Sequence, residues 1–301
     1  MPVNFYEGHK QVQTWGERVF AFLGTNVFKK TGACCLMLGI YVALGHAVEN
    51  YFHVLLLLPA DDTAVIGAAL SILMVLRTNS AYDRWWEGRK HWGALVNNCR
   101  NLAIKVESFS SATAQEKALM GTYITLFPYV LRDHLRSGIS PETLARFPEP
   151  VPDGLFNFPA YVAGRIFSIA KGWRDEEKVH RLDHHMMDPH MSSLMDICGA
   201  CERIRNTPLP LVYRALIPQL LVLYLVIAPL GLELNPTNFV LTLIIGYFLI
   251  GLELVAEEIE EPFGTDDDDL QLDRISKGIE RSVRQIMPEL RETSTISDLA
   301  N

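Results

Sequence analysis

The sequence predicts an all-α membrane protein with four transmembrane helices and a charged helical region between the second and the third. Apolar residues make up 49% of the 301 residues, a fraction that a soluble enzyme also has, but here they are concentrated in long runs. Lys and Arg flank these runs on one side only. The long polar region between the runs mixes polar and apolar residues at helical spacing. These three observations predict the fold class.

The four apolar runs are residues 31–48, 63–76, 215–232 and 239–255. A transmembrane helix needs about 20 apolar residues, roughly 17–25. The first, third and fourth runs meet this requirement, whereas the second has 14 residues and ends at Arg77. A run of that length is also typical of a buried core helix, and length alone leaves this alternative open.

Positive charge indicates that the second run is also a span. The links 49–62 and 233–238 contain no Lys or Arg, whereas the other ends of the runs are basic. The flanking basic residues are Lys29, Lys30, Arg77, Arg84, Arg89, Lys90, Arg203, Arg205 and Arg214. Because cytoplasmic segments are enriched in Lys and Arg, this distribution predicts four spans with both termini and the middle region in the cytoplasm.

The second span carries a face that could line a pore. Ala68, Ile72 and Leu76 are four residues apart and therefore lie on one side of a helix. Around a symmetry axis such a face forms an apolar constriction, which gates ions by dewetting. Ordinary packing against a neighbouring helix is the alternative explanation of this periodicity. The span also contains small residues, which allow helices to approach closely. The small residues of this span are Gly67, Ala68, Ala69 and Ser71.

The region between the second and third spans is predicted to be mainly helical. Residues 138–160 are rich in Pro and Gly and are predicted to be a loop. We expect a helix from about 161 to 177, another through MSSLMDICGACERI, and one in DLQLDRISKGIERSVRQI after the fourth span.

Several function classes find no support in the sequence. The net charge of −8 argues against a nucleic-acid partner. No phosphate-binding glycine loop and no nucleophile motif is present, so we expect no enzyme activity. Cys198 and Cys201 form a lone C-x-x-C pair among five cysteines, and packing on one helix face explains it best. The segment HRLDHHMMDPH lacks the His-Glu spacing of zinc hydrolases and is predicted to be a polar surface.

Four consecutive aspartates, 266 to 269, follow the fourth span. Counting from Asp266, positions six and twelve are Gln271 and Lys277, so the segment is not an EF-hand loop. Asp266 and Asp269 could chelate calcium with carbonyls of the preceding Pro-Phe-Gly turn. Alternatively, Thr265 or Asp266 could be the N-cap of the helix that follows. Both interpretations stay open from the residues alone.

Three segments together resemble the bestrophin family, and most closely its bacterial members: RTNSAYDRWWEGRKHWGALVNNCRNLA, CERIRNTPLPLVY and EEIEEPFGTDDDDLQLDRI. The resemblance implies a homopentameric ion channel with one central pore, in which the second span forms the neck. It assigns the neck to Ala68, Ile72 and Leu76, and a cytoplasmic constriction, the aperture, to Leu182 or Met186. Animal members have partly phenylalanine necks and select anions, so the aliphatic neck of this chain departs from that pattern and leaves sodium and potassium open.

The resemblance also implies a calcium clasp. It assigns side-chain ligands to Asp266 and Asp269, and backbone carbonyl ligands to Glu258, Glu261 and Gly8. Calcium is thus a predicted ion, and no cofactor is required for conduction.

The predicted organisation has five parts: a cytoplasmic segment 1–30, spans one and two in 31–80, a helical vestibule in 81–206, spans three and four in 207–256, and an acidic segment with a helix in 257–301. The N-terminus has no signal-peptide apolar region, and we expect a bacterial inner-membrane protein. Expected partners are further copies of the chain, the bilayer and small monovalent ions. A secondary transporter or a non-conducting scaffold is the alternative. A transporter usually carries a charge at the midplane, and we expect no ionisable residue in the span interiors.

Overall fold

The structure is a computed structural model that describes residues 23–52, 60–231, 235–266 and 268–290, together with Gly16 and Phe20. Predictions that concern Gly8, Asp267, most of the N-terminal segment, residues 291–301 and parts of the two links fall outside the described residues. The chain divides into two compact units. Among the described residues, the membrane unit comprises those up to 85, those within 208–262, and residues 266 and 268, and the second unit comprises 86–207, 263–265 and 269–290.

The all-helical fold class is confirmed for the described residues. They form nine α-helices and one short 3-10 helix, Ala228–Gly231, with a single isolated β-bridge between Ser110 and Val179. The helices are α1 (Asn26–Phe52), α2 (Ala60–Phe109), α3 (Ala114–Leu135), α4 (Pro141–Leu144), α5 (Phe158–Asp175), α6 (Arg181–Asn206), α7 (Leu211–Ile227), α8 (Pro236–Glu260) and α9 (Leu272–Ile286).

All four predicted spans are confirmed as helices long and apolar enough to cross a membrane. These candidate spans are Asn26–Val48, Thr63–Phe109, Leu211–Leu230 and Pro236–Glu260. The second run is short in apolar residues, yet it opens the 50-residue helix α2, which continues without a break through the Trp-rich segment. The chain is therefore an integral membrane protein.

The spans of the membrane unit pack through a shared apolar core. Helix α1 lies along α8, and α7 also contacts α8. The core residues are Leu38, Val42, Leu70, Met74, Ile217, Leu221 and Leu225. Gly67 of α2 lies so close to Tyr224 of α7 that a Cβ atom there would be 2.7 Å from the tyrosine hydroxyl. The predicted close packing of this small residue is confirmed, and it fixes the distance between these two helices.

The second unit is built around α3, whose buried face packs against α5, α6 and α9. Helix α3 begins with a capping box in which Thr113 accepts a hydrogen bond from the Glu116 amide and the Glu116 side chain bonds back to the Thr113 amide. From Met120 onward most residues of α3 are buried, including Tyr123 and Phe127. Helix α3 is thus the central element of this unit.

Two predicted helix boundaries in the second unit differ from the structure. The predicted loop 138–160 contains the one-turn helix α4, because Ser140 caps it by accepting from the Thr143 amide and Pro141 occupies its first turn. Helix α6 starts at Arg181, ten residues before MSSLMDICGACERI, because the His180 ring accepts from the Leu182 amide and caps the helix. Pro189 is accommodated inside α6.

The prediction that Thr265 or Asp266 is an N-cap is wrong. Helix α9 begins at Leu272, and Gln271 occupies the N-cap position without a side-chain cap bond. The described aspartates precede this helix in turns and bends. Gly264 explains part of this path, since a Cβ there would lie 2.6 Å from Asp269 Oδ2. Gly264 permits the Asp269 carboxylate to approach the backbone.

We expect Gly67→Ala to destabilise the membrane unit by about 1–3 kcal/mol, because the added methyl overlaps the Tyr224 ring. Gly67→Ala/Tyr224→Phe should recover part of this loss, since the hydroxyl is the nearest atom. Thermal unfolding in detergent measures both effects. Gly39→Ala is the matched control, because its Cβ would lie at an ordinary 3.5 Å from Leu243 Cδ2. Equal stability of the Gly67→Ala and Gly39→Ala variants would contradict the close contact.

Candidate functional site

A buried cluster of charged side chains connects α2, α7 and α8 of the membrane unit, at the end of the apolar run of α2. Arg77 is only 2% exposed, and its Nε lies 2.9 Å from Glu253 Oε1. Its Nη1 lies 3.1 Å from Glu260 Oε2. Arg214 Nε of α7 lies 3.5 Å from the other Glu260 oxygen. Because charges are costly to bury unless they are paired, this cluster fixes α2 and α7 against α8.

The cluster also corrects the expectation that the span interiors lack ionisable residues. Glu253 lies inside the predicted run 239–255 and is buried. It is accommodated because Arg77 donates to both of its carboxylate oxygens, at 2.9 and 3.1 Å. The sequence does contain a pattern that indicates this cluster. Glu253, Glu257 and Glu260 recur at helical spacing on α8, and Arg77 directly follows the apolar run of α2.

The predicted neck residues lie on an exposed face of α2. Ile72 is 64% exposed and Leu76 is 50% exposed, and Ala68 is also exposed. Leu70 and Met74 are buried on the opposite side of the helix, in line with Arg77. The neck face therefore has no covering from the described residues of its own membrane unit.

The two aperture candidates lie near the start of α6, in the second unit. Leu182 is 69% exposed and Met186 is 49% exposed, and their spacing of four puts them on one face. Lys105 of α2 donates a 2.6 Å hydrogen bond to the Met186 carbonyl, which holds this turn of α6 beside α2. Nearby, His190 is hydrogen bonded to Asn98, and burial lowers the pKa of the His190 imidazole.

Four of the predicted calcium ligands, Glu258, Glu261, Asp266 and Asp269, lie among the described residues. Glu258 is buried, with Lys30 Nζ 3.9 Å from its carboxylate, whereas the Glu261 side chain is exposed. Asp266 belongs to the membrane unit and the buried Asp269 to the second unit. Asp268, which lies between these two aspartates in the sequence, accepts a 3.0 Å hydrogen bond at its carbonyl from the Trp85 indole. This bond connects Asp268 to α2. Calcium binding stays a prediction.

A second group of chemically versatile side chains lies within the second unit. His134, Cys198 and Glu202 place one ligand atom each within 4.8 Å of one another. His134 Nε2 is 2.7 Å from Glu202 Oε1. Burial raises the pKa of the Cys198 thiol to about 12, with the Glu202 carboxylate as a further cause. The predicted packing of Cys198 and Cys201 is confirmed, since both are buried, but the sequence did not indicate that His134 lies beside Cys198.

The chain matches the family model described as Bacterial/Fungal Bestrophin protein over residues 9–285. The chain belongs to the bestrophin family. The resemblance carried by the segment after span two and by the acidic segment is thereby confirmed at the level of the family.

Similar proteins carry names that refer to channels. A Synechocystis protein named "Voltage-dependent anion channel-forming protein" is 32% identical over 241 residues, which are 76% of this chain and 78% of the relative. A Nostoc protein with the same kind of name is 30% identical over 94% of this chain and 97% of its own length. The Escherichia coli K12 protein YneE, named likewise, is 28% identical over 92% of this chain and 93% of its own.

The solved structures give the same fold. A crystal structure of a bacterial Bestrophin homolog from Klebsiella pneumoniae aligns with a TM-score of 0.77 at 20% identity. The alignment covers 87% of this chain and 98% of that chain. A single-residue variant of the Klebsiella pneumoniae homolog aligns with a TM-score of 0.76, also at 20% identity, over 87% and 99% of the two chains. At this identity the likeness establishes the fold.

We expect Arg77→Met to destabilise the protein by about 3–5 kcal/mol, because it leaves the Glu253 and Glu260 carboxylates buried without their cation. Arg77→Met/Glu253→Gln should be more stable than the single variant, since one uncompensated charge is removed. Arg89→Met, on an exposed residue of the same helix, is the control and should be near neutral. Thermal unfolding compares these variants, and an Arg77→Met protein as stable as Arg89→Met would show that the buried charge cluster does not stabilise the fold.

Proposed function

We propose that the chain is one subunit of a symmetric channel that conducts small monovalent ions passively, with five copies of α2 around a central pore. The observation that carries this proposal is the exposed neck face of Ala68, Ile72 and Leu76, which the described residues of the membrane unit leave uncovered. Membership of the bestrophin family and the channel-forming names of the relatives support it. The pentamer itself is carried over from the family resemblance.

The neck would act as the gate of this channel. Three aliphatic rings, one each from Ala68, Ile72 and Leu76, offer water no hydrogen-bonding partner, so a narrow pore there empties of water and blocks ions. The rings carry no charge and do not select between anions and cations. Arg77 supports the gate without facing the pore, because its guanidinium is held by Glu253 and Glu260.

Leu182 and Met186 would form the second constriction. Both are exposed apolar side chains on one face at the start of α6, and five copies of this pair around a central axis would form an apolar ring. Asp183 and His184 follow Leu182 along α6, so polar side chains adjoin this ring and could bias the sign of the permeant ion.

The proposed topology places both termini and the vestibule in the cytoplasm and the protein in a bacterial inner membrane. The basic residues at one end of each span support this orientation. The bacterial sources of the relatives support the location. In this topology Arg77 and Glu260 lie toward the cytoplasmic ends of their spans, where charges are least costly. We further propose that the chain has no enzyme activity, because no nucleophile and base pair is recognisable in the sequence.

The first test is a recording from the purified protein in a planar bilayer under a potassium chloride gradient. We expect discrete current steps that reverse at a potential set by the gradient. Reversal near the chloride equilibrium potential would fit the anion-channel names of the relatives, and reversal near the potassium potential would mean that the aliphatic neck passes cations. A protein that is incorporated but carries no current, or that requires a co-substrate, would contradict the proposal and favour a scaffold or transporter.

We expect Ile72→Ala/Leu76→Ala to raise the single-channel conductance roughly severalfold, because a wider and less apolar neck stays hydrated. Ile66→Ala is the matched control, since Ile66 is an exposed aliphatic residue of α2 that lies at none of the neck spacings. Single-channel currents at fixed voltage measure the effect. Equal conductance of the double variant and the wild type would contradict the assignment of the gate.

We also propose that calcium binds at the acidic run through Asp266 and Asp269. Support comes from the family resemblance and from the failure of the N-cap alternative, because α9 starts only at Leu272. Calorimetry should give at least about tenfold weaker calcium binding for Asp266→Asn/Asp269→Asn. Asp268→Asn, which removes a charge from the same run, should bind like the wild type. A double variant with the calcium response of the wild type would exclude this site.

A further inference from the structure

The second unit contains a group of metal-ligand side chains that the proposed channel does not use. His134 lies in the last turn of α3, and Cys198 and Glu202 lie one turn apart on α6. Their imidazole nitrogen, thiol sulfur and carboxylate oxygen all lie within 4.8 Å of one another. Among the described residues this is the one group of three or more such side chains that converges.

The chemistry of the three ligands identifies the class of ion. Imidazole nitrogen, thiolate sulfur and carboxylate oxygen are the ligands that zinc takes in proteins. Calcium and magnesium prefer oxygen alone, so a sulfur and a nitrogen among three ligands disfavour both ions. Cys201 lies on the same face of α6 as Cys198 and Glu202 and is a further buried thiol.

The surrounding structure holds the two helices in the required positions. Arg205, one turn after Cys201 on α6, donates to the carbonyls of His134 and Arg136, both at 2.8 Å. The end of α3 is thereby clamped to α6 independently of the three ligands. Cys198 is fully buried, whereas the side chains of His134 and Glu202 are about a quarter and a third exposed. A metal ion can therefore reach the group from solvent along these two side chains.

We propose that His134, Cys198 and Glu202 bind a divalent zinc-class metal ion that links α3 to α6. The contact between His134 Nε2 and Glu202 Oε1, at 2.7 Å, would open to admit the ion between them. The Cys198 sulfur would coordinate the ion as a thiolate, and the thiol proton would be released to solvent. The linked helices both belong to the second unit, so the proposal concerns the stability of that unit and does not depend on ion conduction.

Cobalt(II) is the probe, because it occupies zinc sites and absorbs strongly in the near ultraviolet when a thiolate binds it. Untagged, full-length protein in detergent is titrated with cobalt and then with zinc. We expect a thiolate-to-cobalt band that saturates at one ion per chain and disappears when zinc is added. Wild-type protein without this band would overturn the proposal, whatever the variants do.

Three variants test the ligands one at a time. Cys198→Ser should lose the band, and His134→Gln and Glu202→Gln should weaken cobalt binding at least about tenfold. The matched controls are Cys99→Ser, a buried thiol elsewhere in the unit, and His184→Gln/His185→Gln in the histidine-rich turn of α6; both should bind as the wild type does. Cobalt affinity unchanged in His134→Gln and Glu202→Gln would overturn the assignment even if Cys198→Ser failed to fold.

Discussion

The buried ion pair between Arg77 and Glu253 determines how α2 is oriented within the membrane unit. Arg77 directly follows the apolar run of α2. A guanidinium at this position is costly to bury unless carboxylates pair with it. Glu253 and Glu260 of α8 provide them at 2.9 and 3.1 Å. Since a helix cannot turn one residue without turning its neighbours, this pairing fixes the rotation of α2 about its own axis.

That rotation determines which face of α2 stays uncovered within the membrane unit. With Arg77 directed toward α8, Leu70 and Met74 pack inside the membrane unit, while Ile72 and Leu76 remain exposed. The exposure of the face proposed to form the neck thus follows from a polar interaction on the other side of the helix. The same helix continues through Trp85, whose indole holds the Asp268 carbonyl, so the acidic run is attached to the element that lines the proposed pore.

The sequence was sufficient for the four spans, because apolar length and the distribution of Lys and Arg report directly on the bilayer. The i, i+4 spacing of Ala68, Ile72 and Leu76 places them on one exposed face of α2, and the assignment of this face to a pore neck stays a prediction. The sequence could not decide between the two interpretations of the aspartate run, because N-cap preference is local, whereas the backbone follows turns and bends to a helix that starts only at Leu272. It also missed the grouping of His134 with Cys198, because 64 residues separate them and only the packing of α3 on α6 brings them together.

Chemical modification of a cysteine at position 72 would show whether this face of α2 lines a conducting pore. Single-channel current through Ile72→Cys protein is recorded before and after a charged thiol reagent is added, with wild-type and Ile66→Cys channels as controls. We expect the reagent to block or sharply reduce the current through Ile72→Cys channels alone. Unchanged current through Ile72→Cys channels that mass spectrometry shows to be fully modified would mean that this face of α2 does not line the pore.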